Sequence, residues 1–162
     1  MEAPQEHSYG APEQIEPKTL GDYLDVMSQS VFQSGMSWRV VKAKWPGTRE
    51  AFHDFDALRV ASMDGAEIAA IQKDPRVIRN ARKIDAVQEN ARTMIDLEEQ
   101  YGGFKNYLTS HGGFEETVKD LRKRFKFVGD SGCYIFLYVV GEPVPSYEDW
   151  CHSRGREHHG HD

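Results

Sequence analysis

Apolar residues recur along most of this chain every three or four positions, which is the spacing of amphipathic α-helices. A pattern from Leu20 to Val31 predicts a helix over about residues 19–33. The longest pattern predicts a helix over about residues 79–100, whose apolar face comprises Ile84, Val87, Ala91, Met94 and Ile95. Shorter helices are predicted over residues 37–44, 49–53, 57–62, 65–72, 104–109 and 115–124.

Start and stop signals set the limits of these helices. Residues with side-chain oxygens stand where an N-cap is expected, namely at Thr19, Ser37, Thr48, Asp56 and Asp64. Pro46-Gly47 is predicted to end the second helix, because proline lacks the backbone N–H that a helix interior needs. Gly102-Gly103 is predicted to end the longest helix, since glycine readily adopts the left-handed C-terminal conformation.

Residues 134–140, with the sequence YIFLYVV, form a strongly apolar segment. Their β-branched and aromatic side chains are typical of a buried strand. The sequence offers no convincing partner strand, and an unpaired strand would leave buried backbone groups without hydrogen bonds. We therefore predict a fully buried helix here and an all-α fold for the chain.

Composition places the chain among globular proteins. It has 162 residues, of which 39% are hydrophobic and 28% are charged, and this suits one continuous core. No apolar run approaches the roughly 18 residues of a membrane span, and the N-terminus lacks the apolar segment of a secretory signal. Two cysteines, Cys133 and Cys151, do not suggest a disulfide framework, so we expect a cytoplasmic protein.

Three parts of the chain differ in composition. Residues 1–17 contain three prolines among polar residues, which predicts a flexible N-terminal arm. Residues 18–151 carry the helical patterns and are expected to form the folded domain. Residues 152–162 are polar and rich in histidine, which predicts a flexible tail, with loose metal binding as the alternative.

The distribution of charged residues along the chain is more informative than the net charge. The net charge of −6 argues weakly against a general nucleic-acid binder. However, residues 73–83 and residues 119–126 each contain five basic residues against one acid. Such clusters can bind phosphates, but they are also typical of a solvated helix face, which charge alone favours.

Three segments together resemble the DNA-3-methyladenine glycosylase I (Tag-like) family. They are residues 32–41 (FQSGMSWRVV), residues 78–84 with 90–92 (IRNARKI and NAR), and residues 125–129 leading into Cys133-Tyr134 (FKFVG). Their order and spacing resemble those of the family over about residues 18–141, so the chain is identified as a divergent member. The resemblance implies a helix-hairpin-helix DNA glycosylase-like domain of orthogonal helices, with a cleft for a base flipped out of the duplex.

The resemblance also implies roles for individual residues. Trp38 matches the tryptophan that stacks on the damaged base, and a cationic alkylated purine is attracted to such an electron-rich face. The turn at Val128-Gly129, between a basic helix and an apolar one, is expected to bind a DNA phosphate through backbone N–H groups. Lys126 and Arg124 precede this turn and are the expected cationic contacts. A plain turn between two helices is the alternative for Gly129.

The chain departs from the family pattern at several positions. The family has a glutamate eight residues before the tryptophan, and Ser30 stands there, so Ser30 is the candidate for catalysis and base contact. The family also lines its pocket with an N-terminal tyrosine, for which Tyr9 is the candidate, at imperfect spacing. Its superfamily has a catalytic aspartate beyond the hairpin, but none of the acids Glu142, Glu148 and Asp149 stands at the matching position.

The zinc site of the family also lacks matching residues. The family binds zinc with two cysteines and two histidines near its termini. Here there is no N-terminal cysteine, and Val144, Pro145 and Ser146 stand at the positions of the C-terminal asparagine-aspartate-histidine. We therefore predict no metal and no other cofactor.

The predicted function is a base-excision repair glycosylase that hydrolyses the N-glycosidic bond of alkylated purines such as 3-methyladenine. Its expected partner is double-stranded DNA with a flipped alkylated base, and we expect a monomer without membrane contact. The missing glutamate favours one alternative, a non-catalytic DNA-binding or damage-sensing module. The acidic net charge favours another, a binder of free bases or other small molecules on the same fold.

Overall fold

The computed structural model describes residues 13–161, and the side chains of residues 13–154. This part of the chain contains helices and no strand, which confirms the predicted all-α fold. The helices are α1 Leu20–Gln33, α2 Trp38–Ala51, α3 Ala57–Ala61, α4 Gly65–Gln72, α5 Ala81–Tyr101, α6 Phe104–Leu108, α7 Phe114–Arg124, α8 Asp130–Val139 and α9 Tyr147–His161.

Most of the predicted helix boundaries are confirmed by the capping contacts. Thr19 and Asp64 each form a capping box at the start of α1 and α4, and the side chain of Asp56 caps α3. Helix α5 begins at Ala81, two residues later than predicted, because Asn80 is its N-cap. It ends at Tyr101, and its C-cap Gly102 has a φ of 72°, the left-handed conformation expected there.

The predicted break at Pro46 is wrong, because α2 continues through this proline to Ala51. Thr48 is therefore not an N-cap, and its hydroxyl donates to the carbonyl of Lys44 at 2.8 Å. Gly47 is a site of close approach, since a Cβ there would lie 2.7 Å from the Cβ of Arg76. Packing of α2 against its neighbours thus outweighs the local cost of the proline.

The predicted helix over residues 49–53 is replaced by the end of α2 and a short turn. This turn, His53–Phe55, has three consecutive residues with φ between 56° and 57°. Such left-handed backbone is unfavourable for residues other than glycine, so packing must stabilise it. Phe55 is fully buried and stacks on both Trp45 and Phe52 at 5.3 Å between ring centroids.

Helices α1, α5 and α8 meet at the core. Helix α1 packs against both α5 and α8, and α3 packs along α5. The predicted buried helix is confirmed as α8, in which Cys133 and Phe136 are fully buried. No helix in the described part of the chain is both long and apolar enough to cross a membrane.

Segments near both ends of the described chain contact α8. The backbone N–H of Ile15 donates to the carbonyl of Val139 at 2.8 Å. Trp150 of α9 stacks on Tyr134 at 4.5 Å between ring centroids, and the Tyr134 hydroxyl donates to the carbonyl of Pro145. The polar sequence does not predict that α9 continues to His161, and the flexibility of this tail stays a prediction.

Candidate active site

Ser30 lies on α1, where this helix meets the first turn of α8. Its side chain is buried, with the residue 3% exposed, and its hydroxyl lies 3.4 Å from the carbonyl oxygen of Gly132. A Cβ at Gly132 would lie 3.5 Å from both the Cβ of Ser30 and a methyl group of Val128. The structure therefore brings Ser30 together with the segment that follows the hairpin turn.

Asp25 is the acid nearest to Ser30 on its N-terminal side, and its carboxylate is fully engaged. It accepts hydrogen bonds from the indole of Trp45 at 2.8 Å, from Arg49 at 2.9 Å and from Gln29 at 2.9 Å. These contacts fasten α2 to α1. Asp25 is thus a structural residue and does not supply the carboxylate that Ser30 lacks.

Trp38 is the first residue of α2 and follows a tight turn. The turn is closed by the backbone N–H of Met36, which donates to the carbonyl of Gln33 at 2.7 Å, and Gly35 has a φ of 78°. Ser37 caps α2 through the N–H of Val40, as predicted. The indole of Trp38 is half-buried and packs against the edge of the core.

Lys83 supports this turn from α5, a role that sequence reasoning missed. The residue is only 8% exposed, and its amine donates to the carbonyls of Phe32 at 3.3 Å and Ser34 at 2.5 Å. Burial lowers the pKa of its amine below the usual range for lysine. The sequence did contain one indication of this burial: Lys83 stands four residues before the core residue Val87, and therefore on the same face of α5.

The hairpin turn comprises residues 125–129 between α7 and α8, and Asn90 of α5 holds it. The side chain of Asn90, a residue 1% exposed, accepts from the N–H of Lys126 at 2.8 Å and donates to its carbonyl at 3.2 Å. Phe127 has a φ of 60°, and its ring lies 5.8 Å from the guanidinium of Arg82. Sequence reasoning missed the contacts of Asn90 and Arg82 as well.

Gly129 ends the turn with ordinary extended backbone, at a φ of −94° and a ψ of −166°. A Cβ at this position would have no heavy atom within 4 Å. Neither the backbone conformation nor internal packing therefore requires glycine here. The space next to Gly129 is open to a ligand, as a phosphate contact needs.

The basic side chains around the hairpin differ in their contacts. Lys126 is exposed. The guanidinium of Arg124 donates to Asp120 at 2.8 Å, which raises the pKa of Arg124. Asp130, in the first turn of α8, pairs with Arg122 at 2.8 Å and with Arg154 of α9 at 3.9 Å. The positive N-terminus of α8 thus already faces a carboxylate of the protein itself.

The other basic stretch, residues 73–83, is partly engaged within the fold. Arg76 pairs with Asp74 at 2.7 Å and with Glu50 at 2.8 Å, and Lys83 is buried as described above. These contacts favour a structural role for this stretch over a phosphate-binding face.

The described residues do not suit the zinc ion of the family. Residues 13–154 contain no group of three histidine, cysteine, aspartate or glutamate side chains able to hold a metal. Val144 packs against the core, and Ser146 stands at the position of the family's histidine. Glu142 is buried and bonded to Lys105 at 2.7 Å, and burial raises the pKa of the Cys133 thiol to about 12. Tyr9 lies outside the described residues.

The all-helical fold, with a hairpin turn held beside the first helix, defines a helix-hairpin-helix DNA glycosylase-like domain. Within this class, the methyladenine glycosylase family model matches residues 6–124, a stretch that includes Ser30 and Trp38, and the chain belongs to this family.

Relatives of known name agree with this assignment. The chain is 29% identical to DNA-3-methyladenine glycosylase 1 of Escherichia coli K12, with 84% of this chain and 82% of the relative covered. It is also 29% identical to the DNA-3-methyladenine glycosylase of Haemophilus influenzae, with 67% of this chain and 70% of the relative covered.

Solved structures show the same fold. A crystal structure of 3-methyladenine DNA glycosylase I superimposes with a TM-score of 0.71 at 25% identity, and 87% of this chain and 90% of that chain are covered. The Staphylococcus aureus enzyme, whose structure concerns 3-methyladenine recognition, superimposes with a TM-score of 0.72 at 21% identity, and 87% of each chain is covered.

Proposed function

We propose that this protein is a DNA glycosylase that releases alkylated purines such as 3-methyladenine from duplex DNA. Membership of the methyladenine glycosylase family and the named bacterial relatives support the reaction. The structural observation that carries the proposal is the contact between Ser30 of α1 and Gly132 of α8. Through this contact, a base bound near α1 and a phosphate bound at the hairpin turn would be held by one packed unit.

Cleavage of this glycosidic bond needs little chemical assistance from the protein. Alkylation at N3 leaves a positive charge on the purine, so the bond between C1′ of the sugar and N9 of the base is already weak. When this bond breaks, its electron pair neutralises the departing purine. Water then adds its oxygen to C1′ and loses a proton to solvent. Flipping the base, stacking it and positioning the water are therefore the main contributions required.

Trp38 and Ser30 are the residues proposed to act on the base. The half-buried indole of Trp38 offers a face for stacking, which favours a cationic purine over a neutral one. The Ser30 hydroxyl can donate to or accept from the base edge or a water molecule. It cannot serve as a general base without an activating partner, and Asp25 is bonded elsewhere. We include Tyr9 as a third base contact on the family resemblance alone.

The proposed phosphate anchor comprises Lys126, Val128 and Gly129 of the hairpin turn and Arg124 at the end of α7. The open space at Gly129 and the exposure of Lys126 support this assignment most directly. Arg124 is exposed as well, but its bond to Asp120 limits the contact it can make. Arg122 and Arg154 partly neutralise Asp130 beside the turn, which reduces its repulsion of a phosphate.

The alternative function is a damage-sensing module that binds DNA without releasing the base. Two observations favour it: Ser30 is not a carboxylate, and the nearest upstream acid, Asp25, has a structural role. The two functions differ in base release and agree in salt-dependent binding to DNA.

Base release from methylated duplex DNA tests the proposal. The free base should appear with the unchanged protein, and its release should fall about 5- to 150-fold with Trp38→Ala, since stacking contributes about 1–3 kcal/mol. Leu58→Ala is the matched control, because Leu58 is 70% exposed on α3 and has no role in the site. DNA binding without base release from the unchanged protein would favour the damage-sensing module. Failure to bind DNA even at low salt would contradict both functions.

A further inference from the structure

We propose that α5 acts as a spacer that holds two turns at a fixed distance, with Lys83 and Asn90 as its two positioning residues. The turns are the hairpin turn and the base-binding turn, which is the tight turn over residues 34–37 before Trp38. This inference rests on the proposed function of the two turns. Neither side chain needs to touch DNA, since each acts on the backbone of a turn that does.

Lys83 acts at the end of α1. Phe32 lies in the last turn of this helix and Ser34 is its C-cap, so their carbonyls lack partners inside the helix. The Lys83 amine donates to both, at 3.3 Å and 2.5 Å. Residues 13–154 place no carboxylate within ion-pair distance of it. Because Ser34 lies four residues before Trp38, a shift of this turn would displace the stacking indole.

Asn90 acts at the hairpin in a similar way. Its amide pairs with both the N–H and the carbonyl of Lys126, so it takes the place of a neighbouring peptide group. The Asn90 side chain is almost fully buried, so loss of these hydrogen bonds would leave it as a costly unpaired group. It fixes the position of Lys126 three residues before Gly129, and Arg82 adds a contact to the ring of Phe127.

The two residues are seven positions apart on one helix. Seven residues make almost two full turns, so both side chains lie on the same face, about 10 Å apart along the axis. Val87 and Ala91 on this side of α5 are fully buried, which prevents the helix from rotating. A flipped nucleotide must place its base and a neighbouring phosphate in both turns at once, so this spacing bears directly on catalysis.

Two nearly isosteric variants separate the two contacts. With Lys83→Met, base release at saturating DNA should fall about tenfold while the Kd for DNA stays within about twofold. With Asn90→Leu, the Kd for methylated DNA should rise about tenfold, with a smaller effect on release at saturation. Asn90→Asp, which keeps only the acceptor, should lie between Asn90→Leu and the unchanged protein.

The matched control is Gln88→Leu on the same helix. The amide of Gln88 donates to the carbonyls of Val60 and Met63, so this variant loses similar bonds, away from both turns. It should lower the Tm and leave release and Kd unchanged. If Lys83→Met, Asn90→Leu and Gln88→Leu each changed base release and Kd in proportion to their loss of Tm, the role would be merely structural and the proposal would be overturned. It would also be overturned if Lys83→Met and Asn90→Leu changed the same parameter by the same factor.

Two binding measurements keep this test independent of activity. They are the quenching of tryptophan fluorescence by free 3-methyladenine and the anisotropy of labelled duplex DNA. If the unchanged protein releases no base, the glycosylase proposal fails. The spacer is still supported if Lys83→Met weakens only the binding of free base and Asn90→Leu only that of DNA. If the unchanged protein binds neither probe, or the variants fail to split the two affinities, the spacer proposal is overturned.

Discussion

Gly129 is a glycine that the fold itself does not require. We expect Gly129→Ala to leave the free energy of unfolding unchanged or raise it by up to about 1 kcal/mol, because alanine restricts the unfolded chain and meets open space here. The added methyl group should obstruct a phosphate at the backbone, so affinity for duplex DNA should fall several-fold. Urea unfolding and fluorescence anisotropy measure the two effects.

Gly47→Ala is the matched control, in which the same substitution is made where the added methyl group meets a crowded site. Its Cβ would lie 2.7 Å from the Cβ of Arg76, so stability should fall while the folded protein binds DNA normally. If Gly129→Ala binds DNA as tightly as the unchanged protein, the hairpin turn is an ordinary connection between two helices and not a phosphate anchor.

Single residues also show how far sequence reasoning reached at the site. Ser30 and Trp38 are predicted site residues because Trp38 stands in a short family-like motif and Ser30 stands eight residues before it. The roles of Lys83 and Asn90 could not be found in this way. Their partners are backbone atoms up to 51 and 36 positions away, at Phe32 and Lys126, and no side-chain pattern marks a backbone acceptor.

At the scale of elements, the first turn of α8 combines a positive helix terminus with a negative side chain. Asp130→Asn keeps the size of this side chain and removes its charge, so affinity for DNA should rise several-fold at low salt. The slope of log affinity against log salt concentration should become more negative, by up to about the 0.9 that one additional phosphate contact contributes. Anisotropy titrations at several salt concentrations measure both quantities.

Glu148→Gln is the control for this charge effect, since Glu148 lies in the first turn of α9. It should change DNA affinity little. A fall in affinity with Asp130→Asn would contradict the prediction. It would indicate that Asp130 serves mainly to orient Arg122 and Arg154, its ion-pair partners, towards DNA.

The helices also differ in how well the sequence predicts them. Helix α8 has strand-like residues, and only the missing partner strand indicated a helix. Helix α2 was predicted too short, because the effect of Pro46 is local whereas the packing of Gly47 against Arg76 involves a distant segment.

At the scale of the whole molecule, a partly buried polar network joins α6 to α7. The carboxylate of Asp120 accepts from Tyr107 at 2.6 Å and Arg124 at 2.8 Å, and lies 3.3 Å from the ring of His111. Burial alone would raise the pKa of Asp120, but these hydrogen bonds outweigh it and lower the pKa below its usual value. Burial, followed by the hydrogen bond to the same carboxylate, raises the pKa of Tyr107.

This network predicts how stability depends on pH. Because the folded pKa of Asp120 is depressed, its contribution is fully present above the unfolded pKa of about 3.9 and is lost as pH falls through the folded value. Asp120→Asn should therefore lower the free energy of unfolding by about 1–3 kcal/mol at pH 7, and by clearly less near pH 3. Urea unfolding at both pH values measures the difference.

Asp96→Asn is the control, since Asp96 is exposed on α5. It should change stability little at either pH. An equal loss of stability at pH 7 and near pH 3 with Asp120→Asn would contradict the assigned pKa direction, and would trace the effect to packing.

The sequence alone determined the helical class, most helix boundaries and the family. These features are local: a cap such as Thr19 acts within four residues, and the apolar face of α5 follows from helical spacing. Only the tertiary structure decided which polar residues are engaged, since Asp25, Lys83, Asn90 and Asp120 each bond groups on another helix or turn. Such partners meet only when the core forms, because burial brings distant segments together and makes each unpaired polar group costly.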